Sequence, residues 1–571
     1  MITSYPTLVL VNSYAMSSLP SLGDARLDRR RDRIAAEVAA AGSICPARAG
    51  ASPASRLAQY RFYASPRFSY RDLVAGAVAR TRERLRAAGH DPVGGIAPAT
   101  APATAPVLAV GDTTAVRLGH LSGRLKVNDP DLGPIAARAH GSAQQPGFLA
   151  HATYVTTAPV TDGPAAAIPA LPVGLAALQV WNRGYGAPDK RARDYKALAP
   201  RDKEQAKWRR EREALVAIGL AGRVGVTGGQ LAGAGAGAYA CYHVCDREAD
   251  AYLDLEHVRA SGLGFVYRAS HDRRCREAGG GGEAGGGGEA GGGGGEGARP
   301  WRRLSAVCAS WAPVSVTRVR LRARDGVPAR TCELELRCGR VEVACPRKAR
   351  RHAAGATAVL GFVEARERGP GGRLRLRSRG APRGEDAPGN PPIRWRLYCP
   401  PEGLSPGDAG AAALARRYVS YYAARWEVEE LFAGLKSRGY GAEGAYLSTG
   451  AAIKKQFVIG AEAAVEIRRL TLARDGSDAA PAHEVLGYDD AGFLAEVNAS
   501  LETAGAVCVN PHEVGTVSYV SWICARLGGW MGNTKSSVPG TRRMTWGYEK
   551  LALMRAGYLL ARAGPPPSEK M

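Results

Sequence analysis

At 571 residues, 45% of them hydrophobic, the chain has room for two to four domains and a sizeable core. Its 77 Lys and Arg against 53 Asp and Glu give a net charge of +24 and a pI near 9.8, a surface field that favours a polyanion. No apolar run reaches the ~18 residues of a membrane span, the start MITSYPTLVLVNSYAM lacks the basic n-region of a secretory signal, and the 11 cysteines lack a paired Cys-x-x-Cys framework, so the expectation is an intracellular protein with reduced thiols and no membrane contact.

Residues 22 to 90 read as helices with Arg-rich amphipathic segments, among them the run Arg26 to Arg33, around the aromatic cluster Tyr60, Phe62, Tyr63, Phe68 and Tyr70. The rings suit a small helical core, and the cations beside them suit phosphate. A Pro/Ala run, GGIAPATAPATAP, then marks a linker. In PVLAVGDTTAV the apolar run Val107 to Val110 predicts a buried strand with Asp112 at its end. Further strands are expected around Phe148 to Thr157 and Ala176 to Trp181, and the charged segment 198 to 222 reads as a helix. In AYACYHVCDREADAYLDL the run Ala240 to Cys245 predicts a strand closed by Asp246. Glu248 and Asp250 are rival carboxylates, but only Asp246 directly ends the run, and the other two read as solvated or salt-bridged. Alternation places Cys241, His243 and Cys245 on one face, where they read as buried thiols and a satisfied histidine rather than a zinc set.

Positions 246 and 429 are too far apart for one crossover, so an insertion is expected between them. Its strand candidates are VSVTRVRLRA, RTCELELRCGRVEVACP, ATAVLGFVEA and IRWRLYCP, rich in β-branched residues with period-two alternation. The run AGGGGEAGGGGEAGGGGGEG, residues 278–297, has nothing to bury. The last hundred or so residues are helical in pattern, and Trp522, Trp530, Met531 and Trp546 there supply either an apolar interface or an internal core.

The stretch YVSYYAARWEVEELFAGLKSRGYGAEGAY holds Tyr422, Arg425, Glu429 and Lys436. On one helix they fall in a ~60° arc over ~21 Å, a carboxylate flanked by cations. An i, i+4 pair such as Arg425 and Glu429 is commonly a solvated salt bridge, and only the further motifs favour a site. Carboxylates at the ends of central strands in an open α/β sheet converge on one crevice, so Asp112 and Asp246 can meet there. With Glu429 they make an oxygen-only site suited to Mg²⁺ or Mn²⁺ rather than zinc.

At these residues the chain resembles the DDE transposases of the bacterial insertion-sequence-four family, nearest the branch of the transposon-five transposase. LGDARLDRRRDRIA and YRFYASP resemble its amino-terminal DNA-binding region, VLAVGDTT its first-aspartate block, CDREAD its second, Tyr422, Arg425, Glu429 and Lys436 its signature around the catalytic glutamate, and WICARLGGWMGNTKSSVPGTRRMTWGYEKL its carboxy-terminal region. The resemblance implies an α/β RNase H-like catalytic core interrupted by a β-rich insertion, with helical N-terminal DNA-binding and C-terminal dimerisation regions. On that division, 1–95 binds DNA, 106–270 and 405–475 form the core, 271–404 is the insertion and 476–571 dimerises. It implies two Mg²⁺ ions, with Mn²⁺ able to substitute, held by Asp112, Asp246 and Glu429 and used for strand cleavage, hairpin formation and strand transfer at transposon ends. Tyr422, Arg425 and Lys436 would contact DNA, as would Arg268 in GFVYRAS, while Trp395 in IRWRLYCP would stack on a flipped base and Trp426 would divide between core and DNA support. The partners implied are double-stranded DNA, both transposon ends and target, and a second copy of the chain, in the nucleoid of a bacterium or the nucleus of a eukaryote. The glycine run departs from the family. A domesticated, non-catalytic DNA-binding derivative and a general RNase H-like nuclease are the alternatives; the three intact carboxylates oppose the first, and the flanking blocks oppose the second.

Overall fold

The computed structural model describes residues 19–90, 105–125, 129–135, 145–160, 169–183, 203–222, 239–278, 299–322, 328–369, 374, 392–405, 407–436, 438–488, 490–502, 509–532 and 539–562. The glycine run beyond Ala278 and most of the Pro/Ala linker GGIAPATAPATAP lie outside them.

The chain opens with four helices, α1 (Ala25–Ala41), α2 (Pro46–Ala49), α3 (Pro53–Ala64) and α4 (Tyr70–Ala87). Their ends are set by local chemistry: the Asp24 carboxylate caps α1, and Gly42, at φ 56°, closes it in the left-handed conformation that glycine adopts without strain. Ser69 and Asp72 form a reciprocal capping box at α4. Phe62, Tyr63 and Phe68 are buried in the main core, whereas Tyr60 is exposed, so the aromatic cluster is mostly core, as its spacing predicts.

The middle of the chain is a mixed sheet. Its strands are β1 (Val107–Arg117), β2 (Gly133–Ile135), β3 (Gln145–Thr157), β4 (Pro172–Trp181), β5 (Cys241–Cys245), β6 (Gly264–Arg268), β7 (Arg274–Glu277), β8 (Arg302–Arg303), β9 (Ser315–Leu321), β10 (Arg330–Ala344), β11 (Thr357–Arg368) and β12 (Arg394–Cys399). The hydrogen-bonded order is β2-β3-β1-β5-β6-β12-β11-β10-β7-β8, with β4 also on β3 and β9 on β10. Among the described strands only the β1–β5 and β5–β6 pairings are parallel. Helices α5 (Ala206–Ala217), α6 (Tyr252–Ala260) and α7 (Leu304–Ser310) connect these strands. The segment 271–404 extends the sheet, because β12 pairs directly with β6 through Leu397↔Arg268 and Tyr398↔Tyr267.

The central strands bury both faces. Leu108, Val110, Tyr242, Val244 and Val266 point into the largest core. On the other face Val107, Ala109 and Cys241 pack with Leu215 of α5, and Cys245, Phe265 and Tyr267 with Trp208. The parallel strands therefore read as short continuous apolar runs.

Helices α8 (Ala411–Ala424) and α9 (Trp426–Lys436) follow, then α10 (Gly450–Ala473), α11 (Ala482–Leu486), α12 (Ala491–Leu501), α13 (Val517–Leu527) and α14 (Thr541–Arg562). Helix α10 is buried along nearly its whole length and packs on α1, α3, α4, α9, α13, α14 and β4. It joins the two terminal helical regions to the sheet. No helix among the described residues is long and apolar enough to cross a membrane.

Three boundaries differ from the sequence expectation. Strand β1 does not stop at Asp112: its antiparallel ladder with β3 continues to Arg117↔Gly147, while its parallel ladder with β5 ends at Val110↔Val244. Asp112 is thus inside a strand but just past the end of the parallel pairing. The helix expected over 198–222 is Ala206–Ala217. The stripe from Tyr422 to Lys436 spans two helices, since the Arg425 amide bonds to the Tyr422 carbonyl at 3.1 Å and the Val428 amide to the Arg425 carbonyl at 3.4 Å, tightening the turn to i→i−3 spacing.

Candidate active site

Because successive strand residues alternate in face, Asp112 follows Val110 and Leu108 on the main-core side of β1. The same parity carries Asp246 past Val244 on β5 and Arg268 past Val266 on β6. Register places these three positions at one level of neighbouring strands, beyond Val110↔Val244↔Val266. Helix α9, packed on β1, brings Glu429 to the same face.

Asp112 lies within electrostatic reach of the other two carboxylates. Burial pushes its carboxyl upward, Arg425 and the Thr113 amide pull it down, and the charges of Asp246 and Glu429 push it up again, leaving it raised to about 6. Thr113 N–H donates to Asp112 Oδ1 at 2.7 Å, and Glu248 N–H donates to Asp246 Oδ1 at 2.8 Å. These bonds aim both side chains.

Arg425 sits between carboxylates from separate elements. Its Nη1 is 3.3 Å from Asp112 Oδ2, and its Nη2 bonds Glu429 Oε1. The guanidinium thus partly neutralises Asp112 and Glu429, where three anions in one place would otherwise repel. Asp112, Asp246 and Glu429 supply only oxygen ligands, and the crowding of their charge fits a hard divalent cation.

The remaining predicted residues lie nearby, with differing accessibility. Arg268 Nη1 donates to Tyr422 Oη at 3.2 Å and lies over its ring. Trp395 is buried and meets Tyr422 edge-on, ring centres 5.0 Å apart. Its indole is packed inside the protein in this state. Trp426 is half-buried beneath the Arg425 guanidinium. Lys436 reaches back to the Ala115 carbonyl on β1 and is 3.4 Å from Glu443, so its ammonium ties α9 to the strand that carries Asp112. The rival carboxylates have other partners: Glu248 pairs with Lys207 at 2.7 Å, and buried Asp250 accepts from Ser270, His271 and Arg273.

Sequence reasoning missed several neighbours. Lys207, on α5, is buried and also donates to Thr113 Oγ1 at 2.7 Å, directly behind Asp112. Arg247 is exposed beside Asp246, and crowding by Arg268, with burial and Arg396 adding to it, holds its guanidinium below the ordinary value. Arg247 was visible in CDREAD as a charge following the aspartate, but nothing in the spacing gave Arg396 or Lys207 a place. Compared with known proteins, the chain matches no family model and no curated sequence.

Proposed function

We propose that the protein is a metal-dependent DNA transposase that cleaves and joins phosphodiesters at transposon ends. The observation that carries this reading is that Arg425 bridges Asp112 and Glu429 while the β1–β5 register sets Asp246 beside Asp112. Such a set would hold two Mg²⁺ or Mn²⁺ ions around one phosphorus, which activate a water or 3′-hydroxyl and stabilise the leaving oxygen. A mixed sheet covered by helices on both sides of the chain is compatible with the RNase H-like core the resemblance implies. The exposed Arg247, with Arg268 and Arg396 close by, supplies positive charge beside the carboxylates for the flanking phosphates. A groove of about 670 Å³, lined by Arg71, Lys203 and Arg210 with Glu204, Tyr70 and Trp181, adds a cationic and aromatic surface of the kind a nucleic-acid partner uses.

The test is cleavage of DNA carrying the inverted repeats that flank the gene. Asp112→Asn, Asp246→Asn and Glu429→Gln are each expected to abolish Mg²⁺-dependent nicking while end binding persists, because losing one ligand disables the metal pair. Nicking that survives in any of the three removes that residue from the site. A wild-type chain that binds ends without cutting them would instead support the domesticated derivative.

A further inference from the structure

On the sheet face opposite the carboxylates, His243 and Cys245 of β5 point into a closed interior together with Glu211 of α5, all three fully buried. One ligand atom from each lies within 4.8 Å of the others. Nε2 of His243 is 3.1 Å from Glu211 Oε2 and 3.2 Å from Cys245 Sγ. Around a tetrahedral zinc, with bonds of ~2.0–2.3 Å, neighbouring ligand atoms stand about 3.3–3.6 Å apart. Those two spacings are within a few tenths of an ångström of that value, and Cys245 Sγ, also 3.8 Å from Nδ1, must turn off the ring face to share a cation on the Nε2 lone pair.

Two further observations point to a shared cation. The other ring nitrogen, Nδ1, is 2.5 Å from Tyr267 Oη, so a ring that binds through Nε2 can keep its one proton on Nδ1 and be held from behind, as the rings of metal-bound histidines are. Glu211 Oε1 is buried with no hydrogen-bond partner, while Oε2 takes both His243 and, at 3.0 Å, His151 Nε2. His151 is itself held through Nδ1 by Thr113 Oγ1 at 2.9 Å and stands beside the same carboxylate, outside the three-ligand set.

We propose that Glu211, His243 and Cys245 form a structural Zn²⁺ site, with His151 at its open side, behind the strands that carry Asp112 and Asp246. The charges balance: one carboxylate and one thiolate neutralise a divalent cation, which a closed apolar interior demands. Binding expels the Cys245 thiol proton and any second imidazole proton to solvent. The site is distinct from the oxygen-only carboxylate set in ligand chemistry and in face of the sheet, and it does not rest on the proposed transposase activity.

The test is metal content of the full-length chain, purified and refolded with Zn²⁺ and then dialysed against a weak chelator. One zinc per chain is expected, unchanged in Asp112→Asn and reduced about tenfold or more in Cys245→Ser. Zinc at background in natively folded wild-type protein overturns the site, as does full retention in Cys245→Ser. Wild-type chain refolded with Co²⁺ decides the matter even if the variants fail to fold. A near-ultraviolet thiolate-to-cobalt charge-transfer band is expected, and its absence overturns the proposal.

Discussion

Asp112 carries the price of the acidic cluster in the metal-free protein. A carboxyl raised to about 6 in the fold ionises near 4 when unfolded, so the folded chain holds that proton more tightly. Its contribution to stability is therefore undiminished below about pH 4, falls as pH rises to about 6, and stays low above that, a loss of at most about 3 kcal/mol. Asp112→Asn is expected to raise the Tm of chelator-treated protein at pH 7.5 and to have little benefit at pH 4. Mg²⁺ should raise the wild-type Tm at pH 7.5, less at pH 5, and hardly at all in the variant. Thermal melts at the two pH values check this, and an Asn variant less stable than wild type at pH 7.5 would show that Arg425 more than offsets the repulsion.

Helix α9 owes its position to a buried ion pair two residues from Glu429. Arg468 of α10 grips the Glu427 carboxylate through Nε at 2.7 Å and Nη2 at 3.0 Å, with Arg322 on its other side. Burial alone would raise Glu427, but the two guanidinia outweigh it and hold the carboxyl low. Its stabilisation is thus present above the usual carboxylate range and is lost as pH falls through the depressed folded value. Glu427→Gln leaves Arg468 buried with a poorer partner, and a loss of about 3–5 kcal/mol is expected from urea denaturation. A loss below about 1 kcal/mol would mean that apolar packing holds the helix without the pair.

The same elements show what the chain discloses in advance. Apolar runs of four to six residues ending in aspartate located β1 and β5, because buried parallel strands leave that signature and their carboxyl ends collect polar side chains. Alternation located β9 to β12. What stayed hidden were long-range pairings: that β12 joins β6, that β3 carries β1 five residues beyond Asp112, and that α5 supplies both Lys207 and Glu211 to the network behind the carboxylates. Glu211 and Lys207 lie in an Arg-rich segment that reads as a solvated helix, and no local pattern marks a charge whose partners arrive from strands tens of residues away. The turn at Arg425 was equally hidden, since helical spacing continues across it.

At the scale of the whole molecule, α14 presents an apolar edge that no described residue covers. Trp546, Leu553 and Leu560 are exposed at seven-residue spacing, one side of a helix, and Met531 is exposed nearby, whereas Trp522 is core and Trp530 packs partly against it. Of the four apolar residues named from the sequence, Trp522 belongs to the core, Trp530 packs partly on it, and Met531 and Trp546 are exposed. If this edge joins two copies on paired DNA ends, as the resemblance implies, Leu553→Lys should convert the dimeric complex to a monomeric one in sedimentation while leaving the monomer's Tm within about 1 °C, because an exposed side chain contributes little to the fold. A dimer that persists in the variant places the interface elsewhere.

Because α10 packs at once on strand β4, on α9 and on α1, α3 and α4, the carboxylate cluster cannot be assembled piecemeal. A ribosome that has delivered both aspartates needs about 10–50 s more to deliver the last turn of α10. During that interval Glu429 has no Arg468 to dock its helix, and the acidic strands have no helix to close over them. Under the proposed activity a half-made chain cannot cut the chromosome it was transcribed from, and neither can any product of premature termination upstream of α10.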